Sequence, residues 1–187
     1  MKIVEEIKAY APCCEQEARD KTVILDFLEK NPDAFCRSNP IAHMTASAWI
    51  VNRERTKVLM VYHRIYDSWS WTGGHADGEE DLLAVALREA REETGVKDVR
   101  PVSEEICSLE VLTVDGHEKR GVYVSSHLHL NVTYLIEADE HDTLQVCEAE
   151  NSGVRWFPLE EALRACSEPW FVARIYSKLN KKLAFFT

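Results

Sequence analysis

The chain has 187 residues and a formal net charge of −10, with 45% hydrophobic and 29% charged residues, the composition of an ordinary globular protein. The acidity argues against a long nucleic acid as partner, since such binding needs a basic stripe to displace counterions from phosphates, whereas a small polyphosphate stays open if Mg²⁺ supplies the positive charge. No apolar run approaches the roughly 18 residues of a membrane span, so no membrane partner is expected. The N-terminus, MKIVEEIKAYAPCC, lacks the basic, apolar, small-residue order of a signal peptide, and the expected location is cytoplasmic. Six scattered cysteines without a C-x-x-C pair read as free thiols. The vicinal Cys13 and Cys14 could bind a soft metal, but small buried or capping residues are the favoured reading.

Residues 3 to 31 read as two helical pieces divided by Pro12, the second ending at Asn31-Pro32. Residues 1–44 are taken as an N-terminal helical extension and 45–187 as the main domain. Thr45 to Val51 and Lys57 to His63 are rich in small or β-branched apolar residues and predict a hairpin. Arg64 to Trp71 holds Tyr66, Trp69 and Trp71, aromatics that could stack on a base or anchor the loop. Val99 to Val114 predicts one or two strands, His117 to Gly121 a polar loop, and Val122 to Glu137 a single long strand. Along that strand His127, His129, Asn131 and Thr133 share one face and Leu128, Leu130, Val132 and Tyr134 the other. Two histidines at i, i+2 could contact phosphate, bind a metal or hydrogen-bond a base, or simply line a wet face. Glu148 and Glu150 lie in a loop before a strand at Val154 to Phe157. Pro158 to Ala165 and Glu168 to Ala184 predict closing helices, the latter with Trp170, Phe171, Ile175 and Leu179 at helical spacing.

Between the aromatic loop and Val99 lies a helix with its own start and stop signals. Asp77 with Glu80 three residues on suggests a capping box, and Gly95 suits the left-handed position past the C-terminus. Glu89, Glu92 and Glu93 stand at i, i+3 and i+4 and share one face. At about 100° per residue, Leu82, Val85 and Ala86 fall in the same sector, while Glu80, Ala84 and Arg91 fall opposite. The inward apolar stripe therefore turns acidic. Enclosed carboxylates need a cation or hydrogen-bond partner, and hard oxygen ligands favour Mg²⁺ or Mn²⁺. Arg88 stands four residues before Glu92 and can orient a carboxylate. The Gly73-Gly74 pair permits a close backbone approach.

Gly74 to Val96 reads G-x5-E-x7-R-E-A-x-E-E-x-G-V, which resembles the Nudix box, the signature of hydrolases that cleave nucleoside diphosphates linked to another group. Its seven specified residues, Gly74, Glu80, Arg88, Glu89, Glu92, Glu93 and Gly95, would coincide by chance on the order of once in 10⁸ starting points. Ala90 departs from the larger aliphatic residue the family prefers. The resemblance implies a Nudix-type α/β/α sandwich with a mixed sheet and an Mg²⁺-dependent pyrophosphatase acting on a small nucleoside diphosphate derivative, with Mn²⁺ an alternative ion. It implies metal ligation by Glu89, Glu92, Glu93 and the Gly73 carbonyl, and catalysis by Glu92 or Glu93 with Arg88, Glu150 being the distal candidate base. His75, His127, His129 and Trp71 are the candidate substrate contacts. Many relatives are dimers, so a homodimer is compatible. Two other readings share the fold: an isomerase resembling isopentenyl diphosphate isomerase, weakened by the lack of an evident active-site cysteine motif, and a non-catalytic metabolite sensor, which the intact glutamate set opposes.

Overall fold

The computed structural model describes residues 1–119 and 121–186. In chain order its elements are α1 (Lys2–Ala9), α2 (Glu15–Lys30), β1 (Ala42–Val51), β2 (Lys57–His63), β3 (Ser68–Ser70), β4 (Thr72–His75), α3 (Leu82–Thr94), β5 (Val99–Pro101), β6 (Ser108–Val114), β7 (His117–Lys119), β8 (Val122–Val124), β9 (His127–Ala138), β10 (Asn151–Pro158) and α4 (Leu159–Ala165). A last helical run joins α5 (Pro169–Phe171), a wide turn at Val172–Tyr176, α6 (Ser177–Lys182) and a tight final turn at Leu183–Phe185.

The centre of the sheet is β1, every residue of which is buried. It runs parallel to β9 over ten paired positions, from Ala42↔Leu128 to Val51↔Glu137. On its other side it is shared: β2 takes its C-terminal end at Ile50↔Leu59 and Val51↔Val58, and β4 takes the middle from Thr45↔His75 to Ala48↔Thr72. The sheet is completed by β3 and β10 on β2, and by β5 and β6 on β9, all antiparallel. One parallel pair among antiparallel ones makes the sheet mixed, as predicted.

Alternation along β1 divides the molecule into layers. Met44, Ala46, Ala48 and Ile50, with Leu130, Val132 and Tyr134 of β9, pack under Leu82, Val85, Ala86 and Ala90 of α3. Ile3 and Ile7 of α1 and Ile24 and Leu28 of α2 belong to this same core, so the N-terminal helices are packed onto the sheet. The opposite layer is built on Trp49, Met60 and Leu135 and covered by Ala162, Ile175, Tyr176 and Leu179.

Several local expectations change. β1 starts at Ala42 because the polar–apolar alternation already holds at His43 and Met44. The long strand predicted from Val122 breaks at Ser125-Ser126, and β8 folds back on β7 as a separate hairpin, replacing the expected loop at His117 to Gly121; Arg120 lies outside the described residues. The wide turn at Val172–Tyr176 admits an extra residue, so that Ile175 and Tyr176 are both fully buried, Tyr176 stacked on Trp49 at 5.1 Å between ring centroids. Cys13 and Cys14 are exposed, and Cys14 occupies the N-cap of α2 without a side-chain bond.

A buried charged network ties the two chain ends to the sheet. Lys182 Nζ donates to Glu17 Oε1 (2.5 Å), the Tyr10 hydroxyl (2.6 Å) and the Cys107 carbonyl (2.7 Å). Lys178 Nζ donates to Glu110 Oε1 (3.1 Å) and Gln16 Oε1 (2.9 Å), and Thr133 Oγ1 and Asn131 Nδ2 donate to Glu110 Oε2 (2.8 and 3.1 Å). Burial alone would raise the Glu17 pKa, but bonds from Lys182 and the Cys13 N–H, with the charge of Lys178, hold it down at about 2. Its folded pKa lies below the ordinary 4.5, so its contribution is present above about pH 4.5 and lost as pH falls toward 2. The loss amounts to about 3 kcal/mol. Denaturant melts at stepped pH on wild type and Glu17→Gln check this: the acid-dependent loss is expected to be shallower in the variant by about that amount.

Candidate active site

β4, α3 and the loop before β10 converge on a group of carboxylates. The turn into α3 uses Asp77 differently from the expected capping box. Asp77 sits at φ 50°, in the left-handed region, and its carboxylate takes a two-toothed pair of bonds from Arg37, with Nε at 2.6 Å. Asp81 is the cap: its side chain accepts the Ala84 N–H at 3.0 Å, which starts the helix one turn later than Asp77 would. At the other end Gly95, at φ 76°, donates its N–H to the Arg91 carbonyl, as its position predicted.

Along α3 the apolar stripe passes into Glu89 and Glu93, which together with Glu150 each bring a carboxylate oxygen within 4.8 Å of the others. Glu93 is buried and accepts the Gly73 N–H at 2.8 Å. Burial, and then the charges of Glu150, Glu89 and Glu92, push its pKa up to about 8 despite that bond. Burial likewise raises Glu89, which Arg88 Nη2 partly offsets from 3.1 Å. Two glycines make the approach possible. A Cβ on Gly74 would lie 2.3 Å from Glu89 Cδ, and one on Gly73 would lie 2.7 Å from the Ala46 carbonyl. The strand must be bare here because the carboxylate on one side and β1 on the other occupy the side-chain space.

Of the predicted site residues, Glu89, Glu93, Glu150 and Gly73 are brought together. Arg88 pairs with Glu89, not with Glu92. Glu92 is exposed and outside the trio, though its charge still acts on Glu89 and Glu93. Trp71 lies in the core, edge-on to Phe171 and Tyr176, with its backbone N–H on the Tyr176 hydroxyl at 3.3 Å. His75, His127 and His129 gather in a separate corner at the far end of β4. Tyr66 stacks on His63 at 4.4 Å in the exposed loop whose Arg64 N–H donates to the Glu150 carbonyl at 3.4 Å.

Two residues escaped the sequence reading. Asn151 anchors the end of α3 by donating Nδ2 to the Glu93 carbonyl at 2.9 Å, and its buried Oδ1 lacks a partner among the described residues. His43 joins the histidine corner; it was missed because β1 was started at Thr45, although the alternation of His43, Thr45 and Ser47 with apolar residues carried the signal.

The donor set fits a hard divalent cation: oxygen ligands, with two carboxylates raised by burial and mutual repulsion. It stands on a helix entered through a glycine strand at the edge of a mixed sheet.

A NUDIX domain profile matches residues 42–179, and the chain belongs to the NUDIX family. It is 36% identical over 127 residues to CMP-5'-(N-acetyl-N-hydroxy-3-aminopropyl)phosphonate hydrolase of Streptomyces rubellomurinus, covering 63% of this chain and 52% of that protein. It is 30% identical over 95 residues to the asymmetrical bis(5'-nucleosyl)-tetraphosphatase of Mus musculus, covering 50% and 58%. The chain thus spans a little over half the length of these curated relatives. The solved Ap4A hydrolase binary complex of C. elegans shares the fold at 20% identity and a TM-score of 0.54, over 76% of this chain and 96% of that one.

The contact between Gly74 and Glu89 gives a direct test of the site. Gly74→Ala fits the backbone of β4 but displaces the Glu89 carboxylate, so the melting temperature should move little while Mg²⁺ affinity, measured by calorimetric titration, falls by about tenfold or more.

Proposed function

We propose that this chain is a divalent-metal-dependent hydrolase of a diphosphate bond in a small nucleotide derivative. The observation that carries the reading is the convergence of Glu89, Glu93 and Glu150 within 4.8 Å, two of them with pKa values raised by burial. The family and the nucleotide substrates in the names of two relatives point the same way.

Glu89, Glu93, Glu150 and the Gly73 carbonyl would hold Mg²⁺, which when bound supplies charge neutralisation at the diphosphate and acidifies a bound water. The Gly73 N–H fixes the Glu93 carboxylate, and Arg88 fixes that of Glu89. Asn151 holds the last turn of α3 against β10, keeping Glu93 and Glu150 at a set separation. Glu92, exposed one position before Glu93 and outside the trio, is left to accept the proton of the attacking water. Tyr66 and Arg64, in the exposed loop bonded to Glu150, would meet the leaving part of the substrate.

Product release from a panel of dinucleoside polyphosphates, nucleoside diphosphate sugars, ADP-ribose and nucleoside triphosphates, with Mg²⁺ and with a chelator, checks the reading. Cleavage of at least one substrate only with metal is expected; no cleavage, or cleavage indifferent to metal, overturns it. Glu93→Gln should lower both Mg²⁺ affinity and kcat, whereas Glu92→Gln should lower kcat by about 10² to 10⁴ with metal affinity kept. Equal loss of metal affinity in both variants would remove Glu92 from the base role.

A further inference from the structure

Outside the carboxylate site, four imidazoles from three strands meet at one corner of the sheet. His43 at the start of β1 pairs in register with His129 of β9, and Thr45↔His75 pairing puts His75 of β4 on the same side. The rings of His43, His75 and His129 lie 4.9 to 5.1 Å apart between centroids, and one ring nitrogen of each lies within 4.8 Å of the other two. His127 stands against them, its Nε2 at 3.2 Å from His129 Nε2.

The proton positions follow from the acceptors. A carbonyl only accepts, so His43 Nδ1 carries its hydrogen toward the Asn39 carbonyl at 3.2 Å, and His127 Nδ1 toward the Ser125 carbonyl at 2.8 Å. His43 Nε2 is then a bare lone pair. It is buried, in a residue only 4% exposed, without a hydrogen-bond partner among the described residues, and it belongs to a ring surrounded by the other imidazoles. The Asn39 carbonyl is itself fixed, because the Asn39 side chain accepts the Ile41 and Ala42 N–H groups and donates to Asp33 at 3.0 Å. A backbone carbonyl that locks the tautomer and aim of a ring in this way is the usual support of a metal-bound histidine.

An anion would need these rings protonated. A neutral imidazole offers one lone pair, and in His43 the hydrogen held on Nδ1 by the Asn39 carbonyl leaves that lone pair on Nε2. A group of converging lone pairs calls for a cation. Imidazole nitrogen suits Zn²⁺ and its neighbours and not Mg²⁺, which separates this corner chemically from the carboxylates.

We infer that His43, His75 and His129 form a second metal site, for one borderline divalent transition metal of the Zn²⁺ class, with a fourth coordination position left for water or a ligand oxygen. Nitrogens on a tetrahedral zinc stand about 3.3 Å apart, so the three rings need only close in from their present spacing. His75 is two residues from Gly73 along β4, about 7 Å.

Co²⁺ is the probe, since its ligand-field absorption reports tetrahedral coordination. Chelator-stripped protein is titrated with Co²⁺ under saturating Mg²⁺, with far-UV circular dichroism on every variant. One equivalent of Co²⁺ with a tetrahedral spectrum is expected in wild type and in Glu93→Gln. Binding is expected to weaken at least ~100-fold in His43→Ala, His129→Ala and His75→Asn, the last a change at a half-exposed strand end that keeps the fold if that at the buried His43 does not. The inference is overturned if wild type shows no tetrahedral band, if the band survives a folded histidine variant, or if it disappears in Glu93→Gln. Because binding is read without turnover, failure of the hydrolase reading leaves this result interpretable.

Discussion

A carboxylate taken out of water must be matched by positive charge or by enough donors, and this fold depends on meeting that demand in two different ways. At one end of the polar sheet face, Glu17 and Glu110 are fully buried and satisfied by lysines, hydroxyls and an amide. At the edge of β4, Glu89 and Glu93 are satisfied only in part, by a guanidinium and one backbone N–H, and their raised pKa values record the deficit. The first set is structural because its charge is balanced from within the chain. The second is not balanced in this way, and under the proposed function a cation supplies the difference.

The division of β1 between β2 and β4 is what produces the second situation. Had β2 continued along β1, ordinary side chains would stand where Gly73 and Gly74 now do. By ceding Thr45 to Ala48 to a glycine strand, the sheet lets α3 lower Glu89 and Glu93 onto bare backbone. The same strand carries His75 into the histidine corner, so a single four-residue segment sets the spacing between the carboxylate group and the histidine group.

Much of this was legible in the chain. The spacing of Glu89, Glu92 and Glu93 against the Leu82, Val85 and Ala86 stripe located the acidic face, and the alternation of β9 separated its histidine face from its leucine face. What the sequence could not supply was the partner across space. Three glutamates at i, i+3 and i+4 look equivalent along one helix; only the arrival of the β10 loop selects Glu89 and Glu93 with Glu150 and leaves Glu92 in solvent. Trp71 follows the same logic in reverse. Its neighbours in sequence left a base platform and a loop anchor both open; the final helical run, more than a hundred residues away, supplies Tyr176 and encloses the ring.

The buried polar ladder also limits where substrate choice can reside. Thr45 and Ser47 both donate to Asn131 Oδ1 at 2.9 Å, Asn131 donates to Glu110, and Glu110 receives Lys178, so the face of β1 and β9 is one connected network running from beside Gly73 to the C-terminal helix. Any member moved to fit a ligand would leave another unsatisfied in a low-dielectric interior, a cost of about 1–3 kcal/mol for each group. That face is therefore rigid scaffold. The groups free to adapt are those with solvent access around the carboxylates: the Arg64 to Asp67 loop with Tyr66, and the exposed Glu148. Under the proposed function, a rigid ladder flanked by adjustable loops would separate the chemistry of the bond from recognition of what is attached to it.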